Sequence, residues 1–217
     1  LPHVGFQYTL SFDLSDFFDS VKEDRHGKAL GNKLTHAEWV CLWHGSEYAR
    51  KSSRTPGRAA QGLPTSPIVA NLAAADMDRA LLTLCESVGK SCDCRVAITR
   101  YADDICFSFD DMRAIETLKQ NVPAVVEKHG FKVNPKKTHL QCAWAGRRII
   151  CGVAVDDQGV HPTRAAKRKL RAAAKNAETG TVKEFPRRQW ASYLKTCRHG
   201  NRTPLPKADW VRRWLHA

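Results

Sequence analysis

Asp103 and Asp104 stand between two short runs rich in β-branched and aromatic residues, Cys94 to Tyr101 and Ile105 to Phe109. Tyr101-Ala102-Asp103-Asp104 therefore reads as the turn of a β-hairpin with two acids at its tip. Paired carboxylates held outward on a hairpin can grip a divalent cation; taken alone, the dipeptide also reads as a solvated turn. Asp13 supplies a third acid. It closes a stretch, Phe6 to Leu14, in which apolar and aromatic residues alternate with polar ones. That is the pattern of a half-buried strand ending in a carboxylate, placed to join Asp103 across a sheet. A second chemical element is Gln61-Gly62-Leu63-Pro64-Thr65-Ser66-Pro67. Gly62 and the prolines shape a loop, Ser66 reads as a helix N-cap and Pro67 as the first helical residue. Polar groups and a helix N-terminus there point one way, a resting place for a phosphate or nucleotide.

The elements that must position these groups follow from periodicity and punctuation. After Asp13, Ser15 to Val21 turns into a short helix with Phe17, Phe18 and Val21 inward. Thr35-His36-Ala37-Glu38 is a capping box ahead of an apolar run, and Gly45 ends that helix. Arg50 to Arg58 is a basic loop without apolar period. A long helix is expected from Ser66 to about Val88, closed by Gly89, with Met77 in its buried stripe. Asp111 caps a further helix that Pro123 should kink or split and that ends near Gly130. Strands at Thr138 to Trp144 and Arg147 to Val155 are expected to meet through a tight turn at Ala145-Gly146, and Asp156 to Gly159 is a turn. Helices follow at Thr163 to about Asn176, Pro186 to His199 and Pro206 to His216. The order defines an α+β fold, an antiparallel sheet with helices on one face, followed by an all-helical basic module.

Charge placement narrows the partners. Of a net +13, residues 160–217 carry +12, from 15 Lys or Arg against three acids. A near-neutral body with a basic appendage suits a nucleic-acid backbone, because every phosphate neutralised releases condensed counterions. No run of about 18 apolar residues and no charged-then-apolar leader pattern is present, so neither membrane insertion nor secretion is expected, and the chain is placed in the cytoplasm. The eight cysteines are scattered without a C-x-x-C repeat and read as buried reduced thiols.

Taken together, these motifs resemble a bacterial reverse transcriptase of the retron and defence type, with group II intron enzymes more distant. Phe12-Asp13-Leu14-Ser15-Asp16-Phe17-Phe18 resembles the first catalytic motif, Gln61 to Leu72 the nucleotide-binding loop and helix, and Tyr101 to Asp104 the metal-binding hairpin. Gly130 to Thr138 is similar to the motif that follows. Arg148 to Val153, continuing to Arg164, looks like the passage from primer grip to thumb, with Cys151 where many retron enzymes carry threonine. The match spans roughly residues 6–176 in the expected order.

The resemblance implies a polymerase right-hand palm with partial fingers over 1–155, the fingers-like insertion at about 20–66, and a helical basic thumb over 156–217. It implies RNA-directed DNA synthesis: a primer 3′-hydroxyl is extended with dNTPs through two Mg2+ ions, Mn2+ being a substitute. Asp13, Asp103 and Asp104 would be the metal ligands with the Leu14 carbonyl, and Lys137 the cation for the leaving pyrophosphate. Leu14, Phe18, Gln61, Gly62 and Tyr101 would meet the nucleotide, Phe18 excluding a 2′-hydroxyl. Cys151, Gly152, Arg164, Lys167, Arg168 and Arg171 would meet nucleic acid. Implied partners are an RNA template, a DNA or RNA primer and a cognate structured non-coding RNA, in retron DNA synthesis or phage defence. The family's basic N-terminal fingers strands have no counterpart before Asp13, so a fragment, or a grip completed from elsewhere, is expected. Two alternatives stand beside this reading, a polymerase-like RNA-binding module without catalysis and an RNA-templated RNA polymerase.

Overall fold

A computed structural model describes residues 2–22, 35, 37–38, 41, 59 and 64–178. The order of elements is β1 (Tyr8–Asp13), α1 (Phe17–Ser20), α2 (Ser66–Ala73), α3 (Ala75–Cys92), β2 (Val96–Tyr101), β3 (Asp104–Phe109), α4 (Arg113–Lys128), β4 (His139–Cys142), β5 (Arg148–Ile150), β6 (Val153–Val155), β7 (Val160–Pro162) and α5 (Arg164–Glu178). One sheet has the strand order β2-β3-β1-β4, and a second, antiparallel one the order β5-β6-β7. This is the expected α+β class. By density of contacts the chain divides into two units. The first is Leu10–Phe107 with Asp111–His139; the second is the chain up to Thr9, Ser108–Asp110 and the chain from Leu140 onward.

In the first unit Leu10, Phe12, Ile105 and Phe107 are buried in the strands, as are Met77 and Leu81 on α3 and Leu118 on α4. Phe12 and Phe107 meet edge-on at 6.1 Å, the arrangement that ring quadrupoles favour. β1 is not half-buried as its alternation predicted. Thr9 and Ser11 are buried as well, and their hydroxyls find partners, Thr9 Oγ1 at 2.7 Å from Ser108 Oγ and Ser11 Oγ at 3.5 Å from Cys106 Sγ.

The long helix expected after Pro67 is two helices, α2 and α3, meeting at Ala74, and Thr65 rather than Ser66 is the N-cap. Gly89 does not close it. The helix runs on to Cys92, and Asp93 takes the left-handed conformation, with Cys94 N–H donating to the Gly89 carbonyl and Asp93 N–H to the Lys90 carbonyl. Pro123 remains inside α4 instead of splitting it, with Leu118, Val122 and Val126 buried along one face. Gly130 ends α4 as expected, its φ of +85° allowing Phe131 N–H to reach the Val126 carbonyl. The capping box is present: Glu38 N–H donates to Thr35 Oγ1, and Thr35 N–H donates to Glu38 Oε2. Gly45, the basic loop from Arg50 to Arg58 and the two helices expected after residue 185 lie outside the described residues.

The second unit corrects the hairpin at Ala145-Gly146. β4 joins the larger sheet, while β5 pairs with β6 through Cys151 and Gly152, at φ of +47° and +77°. Two consecutive left-handed residues make the tight turn that matches strand twist, which breaks the continuous strand expected over 147–155. Asp156 Oδ1 accepts from the Gln158 and Gly159 amides and so forms the next turn, as expected. Tyr8 stacks on Phe109 at 5.8 Å. Behind that pair Arg148, only 1% exposed, donates through Nη1 to Thr9 Oγ1 and through Nη2 to the His3 carbonyl, while Ser108 Oγ bonds both Thr9 Oγ1 and His3 Nδ1. Burial holds the guanidinium below its ordinary value.

Burial, then the Arg148 charge, lowers the His3 imidazole from 6.5 to about 4. The unfolded chain therefore binds a proton between pH 6.5 and about 4 that the folded chain refuses, so stability is full above 6.5 and falls as pH drops. The loss approaches about 3 kcal/mol by pH 4. Urea unfolding at pH 7 and pH 4.5 should show a steeper fall for the wild type than for His3→Gln; equal falls would remove His3 as the cause.

No disulfide joins the cysteines among the described residues. Cys85, Cys92 and Cys106 are buried as expected, whereas Cys41 and Cys151 are exposed. No helix among those residues is long and apolar enough to cross a membrane.

Candidate active site

The acids are assembled by backbone bonds before any side chain acts. Asp13 is the last residue of β1 and Asp104 the first of β3, with Ala102 and Asp103 as the turn between β2 and β3. Leu14 N–H donates to the Asp103 carbonyl at 2.9 Å, so the end of β1 lies against the hairpin tip. On the other edge Ser15 N–H reaches the Lys132 carbonyl and Asn134 N–H the Asp13 carbonyl, both at 2.7 Å. The segment around Asp13 is thus clamped on both sides, and Leu14 itself is buried. Asn134 Oδ1 caps the short turn Pro135–Lys137 by accepting from the Lys136 amide, and that turn delivers Lys137 Nζ to Asp13 Oδ2 at 2.9 Å.

Lys137, the lysine that the family resemblance singles out, is the one that makes this ion pair. Its hydrogen bond to Asp13, with the Asp13 charge behind it, raises the ammonium above its ordinary value. Asp104 is also shifted upward, first by burial and then by the charges of Asp103 and Asp13, against which Lys137 and His139 act. The three acids repel one another, and a divalent cation relieves such repulsion. Among the described residues no group of three or more His, Cys, Asp or Glu stands ready-made around one ion position. Asp13 spends one oxygen on Lys137 instead. The donor chemistry nevertheless fits Mg2+, which takes carboxylate oxygens, keeps several waters and needs few protein ligands.

Phe17 is buried against Phe131 with ring centroids 5.4 Å apart, the packing role expected of it. Phe18 leans edge-on against Phe17 at 5.4 Å and remains partly exposed on α1. Tyr101, at the end of β2, is 72% exposed. Gln61 and Gly62 lie outside the described residues. Cys151 and Gly152 form the exposed turn of the second unit, and Arg164, Lys167, Arg168 and Arg171 are exposed on α5, whose first turn is capped by Thr163 Oγ1 accepting from the Ala166 amide. Sequence reasoning missed Arg100. Its side chain is 6% exposed, and its guanidinium forks onto the Asp78 carboxylate. The available signal was a lone arginine just before the hairpin tip and an acid inside the apolar period of α3.

A strand-end aspartate clamped against a two-aspartate hairpin, on an antiparallel sheet backed by helices, defines the palm of the polymerase class. The chain belongs to the reverse transcriptase (RNA-dependent DNA polymerase) family, whose model matches residues 3–184. It is 34% identical over 168 residues to the retron Mx65 reverse transcriptase of Myxococcus xanthus, covering 71% of this chain and 38% of that protein. It is 25% identical over 201 residues to the retron Ec86 reverse transcriptase of Escherichia coli, covering 89% of this chain and 57% of that one. The chain thus spans roughly two fifths to three fifths of the length of these relatives. Among solved structures, apo telomerase from Candida tropicalis superposes with a TM-score of 0.54 at 14% identity, over 75% of this chain and 33% of that one, a likeness of fold.

Proposed function

We propose that the chain is the palm-containing part of an RNA-directed DNA polymerase that extends a primer 3′-hydroxyl with dNTPs on an RNA template. The observation that carries this reading is the Leu14 to Asp103 backbone bond, which keeps Asp13 and the Asp103-Asp104 tip side by side whatever their carboxylates hold. Family membership supports it. Asp13, Asp103 and Asp104 would hold the metal ions, with the Leu14 carbonyl beside them. Two Mg2+ ions, or Mn2+ in their place, would be held by these residues and would supply Lewis-acid activation and charge stabilisation for phosphoryl transfer.

Lys137 keeps its proton while paired with Asp13 and then offers Nζ–H to the pyrophosphate oxygen, a role suited to a mobile ammonium. Phe18 sits under the sugar and excludes a 2′-hydroxyl, and Gln61, Gly62 and Tyr101 line the nucleotide's place. Residues 1–155 act as palm with partial fingers and 156–217 as thumb, with Cys151 and Gly152 near the primer and Arg164, Lys167, Arg168 and Arg171 on the duplex phosphates, independent of sequence. The retron reverse transcriptases among the relatives support a place in retron DNA synthesis; a cognate structured non-coding RNA as template source, a part in phage defence and a cytoplasmic setting belong to the same proposal.

The deciding experiment is extension of a labelled primer on an RNA template with Mg2+ and dNTPs. Incorporation of deoxynucleotides is expected, together with template-primer binding that weakens steeply with salt. Tight binding without extension would identify a binding module instead, and a flat salt response would withdraw the α5 cations from the duplex.

A further inference from the structure

Arg100, the penultimate residue of β2, makes four hydrogen bonds with a nearly fully buried side chain. Nε and Nη2 reach the two oxygens of Asp78 at 2.6 and 2.7 Å, and Nη1 reaches both Asn71 Oδ1 at 3.2 Å and the Ala102 carbonyl at 2.9 Å. The guanidinium also lies 5.5 Å from the centre of the Phe17 ring, the neighbour on which Phe18 leans.

The bond to Ala102 has the most direct consequence for the acids. Ala102 has φ of +51°, a conformation uncommon for a residue with a side chain, so the tip needs something to hold it there. The carbonyl that Arg100 holds belongs to the planar peptide joining Ala102 to Asp103. Fixing that plane fixes the direction in which Asp103 leaves the chain, and Asp104 follows at the start of β3. The other two partners stand on α2 and α3, the helices that follow the nucleotide loop. A buried ion pair adds little net stability over an apolar substitute, so stability alone does not account for this arrangement.

We propose that Arg100, braced by Asp78 and Asn71, is a positioning residue of the candidate site, setting the peptide plane of the hairpin tip and thereby the aim of the Asp103 and Asp104 carboxylates. This rests on the polymerase reading above. A lysine does not replace it, since a single ammonium cannot serve both Asp78 oxygens and the Ala102 carbonyl in the fork geometry.

The test uses the full chain with Arg100→Lys and with the double variant Arg100→Gln, Asp78→Asn, which leaves no unpaired buried charge. Three quantities are measured: the thermal midpoint, the Mn2+ binding midpoint by electron paramagnetic resonance, and kcat and KM for primer extension. Both variants are expected to keep a cooperative unfolding transition while Mn2+ affinity falls about tenfold. Extension should lose about 10- to 100-fold in kcat, with nucleotide KM changed less than about threefold. A variant that loses the Ala102 bond yet keeps wild-type Mn2+ affinity and kcat would overturn the proposal, as would losses that only track the unfolded fraction. If the double variant does not fold, Arg100→Lys carries the same comparison. Absence of extension by the wild type itself would count against the polymerase reading alone, and the Mn2+ shift would still report on Arg100.

Discussion

Asp103→Asn is expected to lower primer extension by about 10³-fold while leaving the thermal midpoint at or slightly above that of the wild type. The two halves of that expectation come from different atoms of one residue. Its main-chain carbonyl takes the Leu14 amide and ties β1 to the hairpin, and asparagine keeps it. Its carboxylate is one of three mutually repelling charges, and an amide of equal size offers a metal one neutral oxygen in place of an anionic pair. Several kcal/mol of charge stabilisation in the transition state are lost, and each 1.36 kcal/mol is about tenfold in rate. Single-turnover extension with circular dichroism on the same preparation makes the comparison. Extension within about tenfold of wild type would remove Asp103 from the chemistry.

Phe18→Ala is expected to raise ribonucleotide use relative to deoxynucleotide use by roughly 10- to 100-fold, the range that a purely steric pocket supplies. Phe17 makes this separable from folding. It carries the packing against Phe131, while Phe18 leans on Phe17 and stays partly exposed, so truncation at 18 opens space without emptying the core. The ratio of kcat/KM for dNTP and rNTP in a competition assay is the measure. An unchanged ratio would place sugar selection on another residue. A wild type that already prefers ribonucleotides would favour the RNA-templated RNA polymerase alternative.

Much of the architecture was legible because it is written locally. Asp13 at a strand end, the turn before Asp104, the capping box at Thr35 and Glu38, the Gly130 terminator and Met77 in a buried stripe all depend on signals within a turn or two of chain. The misreadings also have local causes. The run Arg147 to Val155 has strand-forming residues throughout, and only the paired left-handed backbones at Cys151 and Gly152 reveal that it folds back on itself. Gly89 looked like a stop, yet α3 ends where Asp93 completes the carbonyl bonds of the last turn.

By itself the sequence determined the acids, their strand and hairpin settings, the order of motifs and the family, since periodicity and turn chemistry act between near neighbours. Which charges meet was decided only by the tertiary structure: Lys137 on Asp13, and Arg100 between Asp78 and the Ala102 carbonyl. Likewise Thr9 and Ser11 alternate as exposed residues should, and packing buries them all the same. The physical reason is that an ion pair or a covered face is set by surfaces brought together from distant parts of the chain, and no local preference encodes which surface arrives.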